Sequence, residues 1–241
     1  MSEAYEPASY WSTRLSQNFN LRGVGHLEYG PGYNDWMYRQ KRRALDRALT
    51  GRPAGSIALD VGSGVGWVVA YLLDRGFRVT GCDIAQVAVD SLARQYPAAN
   101  FFQHAAGADS FPTGDASFDI VTMMDVAYHI VDADLWRGAV ADMSRVLKPD
   151  GQIVVTDELG KKSVRAAEHV QMRSLAEWSE TARATGLRVA RVGALYRWLS
   201  RPQSTRGWRH IPSTPRGAVE FGLEQVVPIA PHMRWAVLVK A

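Results

Sequence analysis

The sequence predicts an α/β fold, a doubly wound and mostly parallel sheet with helices on both faces, and three observations carry that prediction. Between Ser56 and Asp157, strand-like apolar runs alternate with helical ones, the pattern of right-handed crossovers. The stretch Leu59-Asp60-Val61-Gly62-Ser63-Gly64-Val65-Gly66 passes from a strand through three alternating glycines into the apolar run Trp67-Val68-Val69-Ala70-Tyr71-Leu72-Leu73. A second strand then ends on Asp83. Open sheets of this kind take ligands outside the carboxyl ends of their strands, and glycine lets a ligand lie against main chain. A nucleotide-like ligand is therefore expected.

The spacing predicts strands over residues 56–61, 78–83, 100–104, 118–124 and 152–157, with helices over 67–75, 85–95 and 133–147. Pro149-Asp150-Gly151 closes the last of these helices as a turn. Residues 158–172 read as a loop, 174–185 as a helix and 187–195 as a strand, and 234–240 alternates as a final strand. Residues 198–231 are rich in Arg, Pro and Gly and show no period. A loop of that length is usually functional, and Trp198 and Trp208 point to an ordered insertion facing the substrate. Residues 1–55 are dense in rings and glycines (Tyr10-Trp11, Phe19, then residues 23–38) before a helical run over 39–49. They read as a helical lid on a core of residues 56–241.

Asp83 carries the clearest chemistry, because a carboxylate at the end of the second strand can accept hydrogen bonds from both vicinal ribose hydroxyls. The N-cap of the following helix is the lesser alternative. A dinucleotide fingerprint wants its third glycine at position 67, where this chain has Trp67; the third glycine stands at Gly66 instead.

Asp60-x-Gly62-x-Gly64-x-Gly66, then Asp83, Phe118-Asp119-Ile120-Val121 and Leu147-Lys148-Pro149-Asp150-Gly151 follow in an order that resembles the class I S-adenosylmethionine-dependent methyltransferases. The resemblance covers roughly residues 57–157. It implies a Rossmann-like doubly wound sheet of seven strands with an antiparallel last strand, and S-adenosylmethionine as cofactor. It places Gly62, Gly64 and Gly66 under the cofactor, Asp83 and Ile84 at its ribose, and Asp60 as a cofactor-binding acid that braces the glycine turn and the cofactor's amino group. Relatives carry an acid for the adenine amine near the position of Gly107; Asp109 is the nearest substitute. Met124 and Asp125 fall where relatives contact the methionine portion and the transferring methyl. Lid rings such as Trp36 would lie near the sulfonium, where cation–π attraction is worth about 0.5 to 2 kcal/mol.

An acceptor hydroxyl is a poor nucleophile until its proton leaves, and imidazole suits that task. His129 occupies a familiar histidine position, with Asp125 beside it. His169 lies beyond the fifth strand, where acceptors tend to sit, and is the slightly favoured base. Asp125, Asp157 and Glu158 lack a metal-binding spacing, so no metal is expected.

The implied activity is methyl transfer to a hydroxyl of a small molecule, a secondary metabolite or a sugar-like acceptor. Methylation of nitrogen or carbon, methylation of nucleic acid, and a cofactor-binding regulatory subunit are the alternatives. Residues 161–216 carry 12 Lys/Arg against 3 Asp/Glu, whereas residues 1–160 carry 14 against 19, a bias that reads as a solvated face. No recognised RNA-binding motif accompanies it, which weighs against nucleic acid. A 46% hydrophobic share supports a sizeable core, and the single cysteine, Cys82, cannot form an internal disulfide, in keeping with a reducing cytoplasm. No run of 18 apolar residues suggests a membrane span, and oligomeric state leaves no signature here.

Overall fold

The structure, a computed structural model, describes residues 5–21, 23–24, 30–200 and 211–241. Its centre is a seven-stranded sheet in the order β3-β2-β1-β4-β5-β9-β8. The strands are β1 (Ile57–Val61), β2 (Arg78–Asp83), β3 (Asn100–Gln103), β4 (Phe118–Met123), β5 (Leu147–Asp157), β8 (Leu187–Tyr196) and β9 (Met233–Lys240). The first five pair in parallel; β9 lies between β5 and β8 and is antiparallel to both. Helices α1 (Pro7–Gln17) and α2 (Pro31–Ala48) precede the sheet, and α3 (Trp67–Asp74), α4 (Gln86–Gln95) and α5 (Ala133–Val146) form its crossovers.

The central strands are apolar almost throughout because they are buried on both faces. Along β5, Ile153 and Val155 join the layer containing Trp136 and Trp178, while Val154 faces the layer of α2 and α3 with Leu45 and Leu72. β9 divides the same way, with Ala236 and Leu238 on one face and Trp235 and Val237 on the other. Asp132 and Ser174 start α5 and α6 (Leu175–Ala184) by accepting backbone N–H bonds in the first turn.

Three stretches depart from the sequence reading. Pro149-Asp150-Gly151 is not a turn between helix and strand: β5 starts at Leu147 and runs through it, and the irregularity appears as a register shift between Phe118 and Ile120 of β4. Residues 158–172 are not all loop, since β6 (Val164–Ala167) and β7 (Val170–Met172) form an antiparallel hairpin. Strands this short carry too few alternating residues to register as a pattern.

The stretch 198–231 contains α7 (Ser213–Val226), a helix that tertiary contacts favour over propensity. Its Gly217 lets the chain approach α2 closely; a Cβ there would stand 2.8 Å from Trp36 Cδ1 and 3.0 Å from Tyr33 Cδ2. Glu220 accepts a hydrogen bond from the Tyr33 hydroxyl. Glu224 Oε1 accepts from three consecutive backbone N–H groups, those of Arg197, Trp198 and Leu199, at 2.7 to 2.9 Å. Trp208 lies outside the described residues. Among the described residues no helix is long and apolar enough to cross a membrane.

Candidate active site

At the C-terminal ends of β1, β2 and β4 lies a cavity of about 360 Å³. Its floor is the glycine turn. Gly62, Gly64 and Gly66 take positive φ angles of 76°, 53° and 79°, a region where a side chain is strained. The Gly62 and Ser63 N–H groups donate to Cys82 O, tying the turn to β2. Gly62 and Gly64 line the cavity; Gly66 does not, and serves instead to let α3 start against Leu92 and Tyr96 of α4.

Asp83 stands beside the turn, lines the cavity and is buried. Its Oδ2 accepts from Gly64 N at 2.8 Å and its Oδ1 from Ala85 N at 2.9 Å. The two expectations for this residue thus coincide: it caps the start of α4 and stays oriented toward the cavity. Burial raises its pKa, an effect opposed by the backbone donors. The Ile84 N–H is a third backbone donor to it, so about one of a carboxylate's roughly four acceptor sites remains for a ligand's hydroxyl. Ile84 and Met124 also line the cavity.

Asp60 is fully buried below the turn and outside the cavity lining. Thr122 Oγ1 donates to its Oδ1 at 2.7 Å, and burial pushes its pKa up to about 7. That geometry fits a brace between β1 and β4 rather than a ligand contact. Asp109 is exposed and absent from the cavity wall, where the neighbouring Ala108 stands. Trp36 is also elsewhere: its ring packs on Phe221 of α7, with the Arg39 guanidinium 4.5 Å over it.

The opposite end is built from β4, α1, α2 and the hairpin. Asp125, just past β4, takes a positive φ of 60° and pairs with Lys41 Nζ of α2 at 2.5 Å. Burial alone would raise the Asp125 pKa, but the Lys41 charge and hydrogen bonds from Lys41, Thr156 and Tyr128 outweigh it and hold the carboxylate below its usual range. Lys41 is held charged in return, well above its ordinary value, although burial opposes this.

His129 follows in a short 3₁₀ turn, Ala127–His129, and lines the cavity. The buried Arg173 holds this turn, donating to Ala127 O at 3.0 Å and Ile130 O at 2.7 Å with its guanidinium 4.2 Å over the Trp136 ring. His129 Nδ1 lies 3.0 Å from His169 O. A carbonyl only accepts, so Nδ1 carries the proton and Nε2 is left as the ring's acceptor. Burial lowers the His129 pKa to about 4, so the ring is neutral at neutral pH. His169, the slightly favoured base in the sequence reading, lies behind it at the hairpin's tip. The two imidazoles stack at 5.8 Å, and His169 also stacks on Tyr10, outside the cavity wall. Tyr5, Trp11, Leu15 and Val24 complete the roof.

Asp157 is not shared with Asp125, because Trp178 Nε1, Arg173 N and Glu158 N donate to its two oxygens. Among the described residues no group of three or more His, Cys, Asp or Glu is placed to hold a metal ion.

Residues 59–155 match the family model described as a methyltransferase domain, a span that holds the glycine turn, Asp83, Asp125 and His129. This stretch is a class I S-adenosylmethionine-dependent methyltransferase domain. The chain is 29% identical over 178 residues to the S-adenosyl-L-methionine-dependent Diels-Alderase iccD of Talaromyces variabilis, covering 66% of this chain and 60% of that one. It is 34% identical over 108 residues to the O-methyltransferase cnsE of Penicillium expansum, covering 43% and 38%. This chain thus spans about half the length of these curated relatives. The fold also matches the 1,6-didemethyltoxoflavin-N1-methyltransferase of Burkholderia thailandensis, solved with S-adenosylhomocysteine, with a TM-score of 0.59 at 19% identity over 100% of this chain and 93% of that one.

Lys41, Tyr38 and Thr156 escaped the sequence reading of the methyltransferase domain's site. A signal for Lys41 exists: it lies on the buried stripe of α2 formed by Tyr33, Met37, Ala44, Leu45 and Ala48. A lysine in such a stripe needs a charged partner.

Proposed function

We propose that this chain binds S-adenosylmethionine in the cavity and transfers its methyl group to a hydroxyl of a small molecule. The observation that supports this most is the pairing, across one cavity, of the glycine floor with Asp83 at one end and neutral His129 with Asp125 at the other. The cofactor fits the residues present: Gly62 and Gly64 turn main chain without a side chain to the cavity wall, which admits a flat ligand, and Asp83 keeps acceptor capacity. Gly62, Gly64, Asp83, Ile84 and Met124 would hold it. When bound, it supplies a sulfonium-activated methyl group.

The protein's own work is then to position the acceptor and exclude water. Trp11, Leu15, Val24 and Tyr5 close the cavity from the N-terminal side, which supports reading residues 1–55 as a lid. His129 Nε2 accepts the hydroxyl's proton or orients its hydrogen bond, with His169 O fixing the tautomer. A base with a pKa near 4 is weak, which favours acceptors with an acidic hydroxyl, such as phenols or enols, over simple alcohols.

The test joins binding to turnover. Calorimetry should show S-adenosylhomocysteine bound by the wild type and weakened by Gly64→Val, whose side chain would enter a turn at φ 53° with Val24 Cγ1 2.9 Å from the new Cβ. Conversion of S-adenosylmethionine should then depend on phenols, enols, sugars or amines supplied one at a time. Binding without turnover on any acceptor would exclude the transfer reading.

A further inference from the structure

Lys41 is the only lysine or arginine among the described residues that line the cavity. An ammonium carries three donors. Asp125 takes one, and hydrogen bonding to Tyr38, whose ring lies 4.0 Å away, takes a second. Asp125 is partnered in the same incomplete way: Lys41, Thr156 and Tyr128 occupy three of its roughly four acceptor sites. The pair, a buried lysine and a half-buried aspartate, is neutral overall, and it lines the cavity with one donor on the cation and one acceptor on the anion to spare.

A ligand bearing a single charge gains little from a neutral pair. A head group with both an ammonium and a carboxylate can satisfy both ends at once, its carboxylate on Lys41 and its ammonium on Asp125. We propose that Lys41 and Asp125 form the receptor for the amino-acid end of the cofactor, so that helix α2, outside the matched domain, supplies the one Lys or Arg that lines the cavity among the described residues. The proposal rests on the cofactor reading above and deepens it. Among the described residues the other nearby basic side chains are neutral or engaged elsewhere: His129 is neutral, Arg173 is turned to the carbonyls of Ala127 and Ile130, and Arg14 of α1, whose charge reaches His129 and Tyr38, donates to Gly23 O and the Tyr10 hydroxyl. The other carboxylate at the turn, Asp83, already serves Gly64 and Ala85.

The same head-group chemistry could come from an amino-acid acceptor, and ligand analogues separate the two sources. Calorimetry on the full chain compares S-adenosylhomocysteine with its decarboxylated analogue and with 5′-methylthioadenosine, which lacks the amino-acid end. On the wild type, removing the carboxylate should weaken binding about tenfold or more, the scale of one charge-assisted hydrogen bond. In Lys41→Met that ratio should collapse to about twofold or less, while 5′-methylthioadenosine binds as to the wild type and so reports a folded protein. In hydrogen exchange, S-adenosylhomocysteine should protect α2 and 5′-methylthioadenosine should not. Equal affinities of the wild type for the carboxylated and decarboxylated ligands would overturn the proposal without variants and leave an acceptor as the source. A ratio unchanged in Lys41→Met would overturn it too. If neither S-adenosylhomocysteine nor 5′-methylthioadenosine binds the wild type, the cofactor reading itself falls, and the proposal with it.

Discussion

Replacing Asp83 with asparagine changes one oxygen into an amide at a side chain whose two oxygens already answer backbone donors. In the wild type, Oδ2 accepts from Gly64 and Oδ1 from Ala85, both inside a buried site. An amide has one carbonyl oxygen, so one of the two N–H groups then faces an NH₂. Leaving a buried donor unpaired costs about 1 to 3 kcal/mol, which should appear as a lower urea midpoint at unchanged slope. The ligand loses separately. A charge-assisted bond to a ribose hydroxyl is worth about 1.5 to 3 kcal/mol, so S-adenosylhomocysteine should bind roughly ten- to a hundredfold more weakly. 5′-Methylthioadenosine keeps the ribose and should weaken by the same factor. Denaturation and calorimetry on the same preparations separate the two effects. A destabilised variant with wild-type affinity would reduce Asp83 to a helix cap and refute its assignment to the ribose.

Two further outcomes follow from the same geometry. Glu224→Ala should strip the three N–H groups of Arg197, Trp198 and Leu199 of their acceptor and lower unfolding stability by about 3 kcal/mol, with Glu224→Gln retaining most of it; urea titration reads both. For His129, the folded pKa near 4 lies below the ordinary 6.5, so between those values the unfolded chain holds the extra proton. Its contribution to stability is therefore intact above about pH 6.5 and is lost as pH falls toward 4, at a slope approaching 1.4 kcal/mol per pH unit, and His129→Asn should lack that component in paired denaturation curves.

What could be read from the sequence was local in kind. Strands β1, β2 and β4 announce themselves because burial on both faces demands continuous apolar runs, and the glycine turn because its backbone angles demand glycine. Of the cavity residues on that frame, Gly62, Asp83 and Asp125 follow from the strand-end rule and Gly64 from the glycine turn, whereas Ile84, Met124 and His129 come from the family resemblance; Asp157, which the same rule puts at the edge, does not line the cavity. What failed depended on contacts between distant segments. Trp36 looks like a roof residue by its neighbours in sequence, yet α7 draws it away through Phe221 and Gly217. His169 sits at the right point in the chain, but the β6–β7 hairpin sets it behind His129 and outside the cavity wall, its ring stacked on that imidazole and its carbonyl on Nδ1.

Four aspartates at the C-terminal edge of the sheet show how environment separates what topology makes alike. Asp60, Asp83, Asp125 and Asp157 all stand at or near the ends of parallel strands; three are buried and Asp125 is half-buried. Burial pushes Asp60 up to about 7 and Asp157 up to about 6, and it raises Asp83 as well, because neutral hydroxyl, indole or backbone donors only partly offset the loss of water. Asp125 alone moves downward, and the difference is Lys41. Of these four, then, the carboxylate held most firmly as an anion is the one whose countercharge arrives from α2, before the first strand. A sheet edge of this type supplies carboxylates by topology, but which of them stays charged in a closed cavity depends on the segment packed over it. In this chain, the stretch before the first strand carries both the roof, at Tyr5, Trp11, Leu15 and Val24, and the cation, Lys41 of α2, so the charge state of the site and the covering of its cavity come from one part of the sequence.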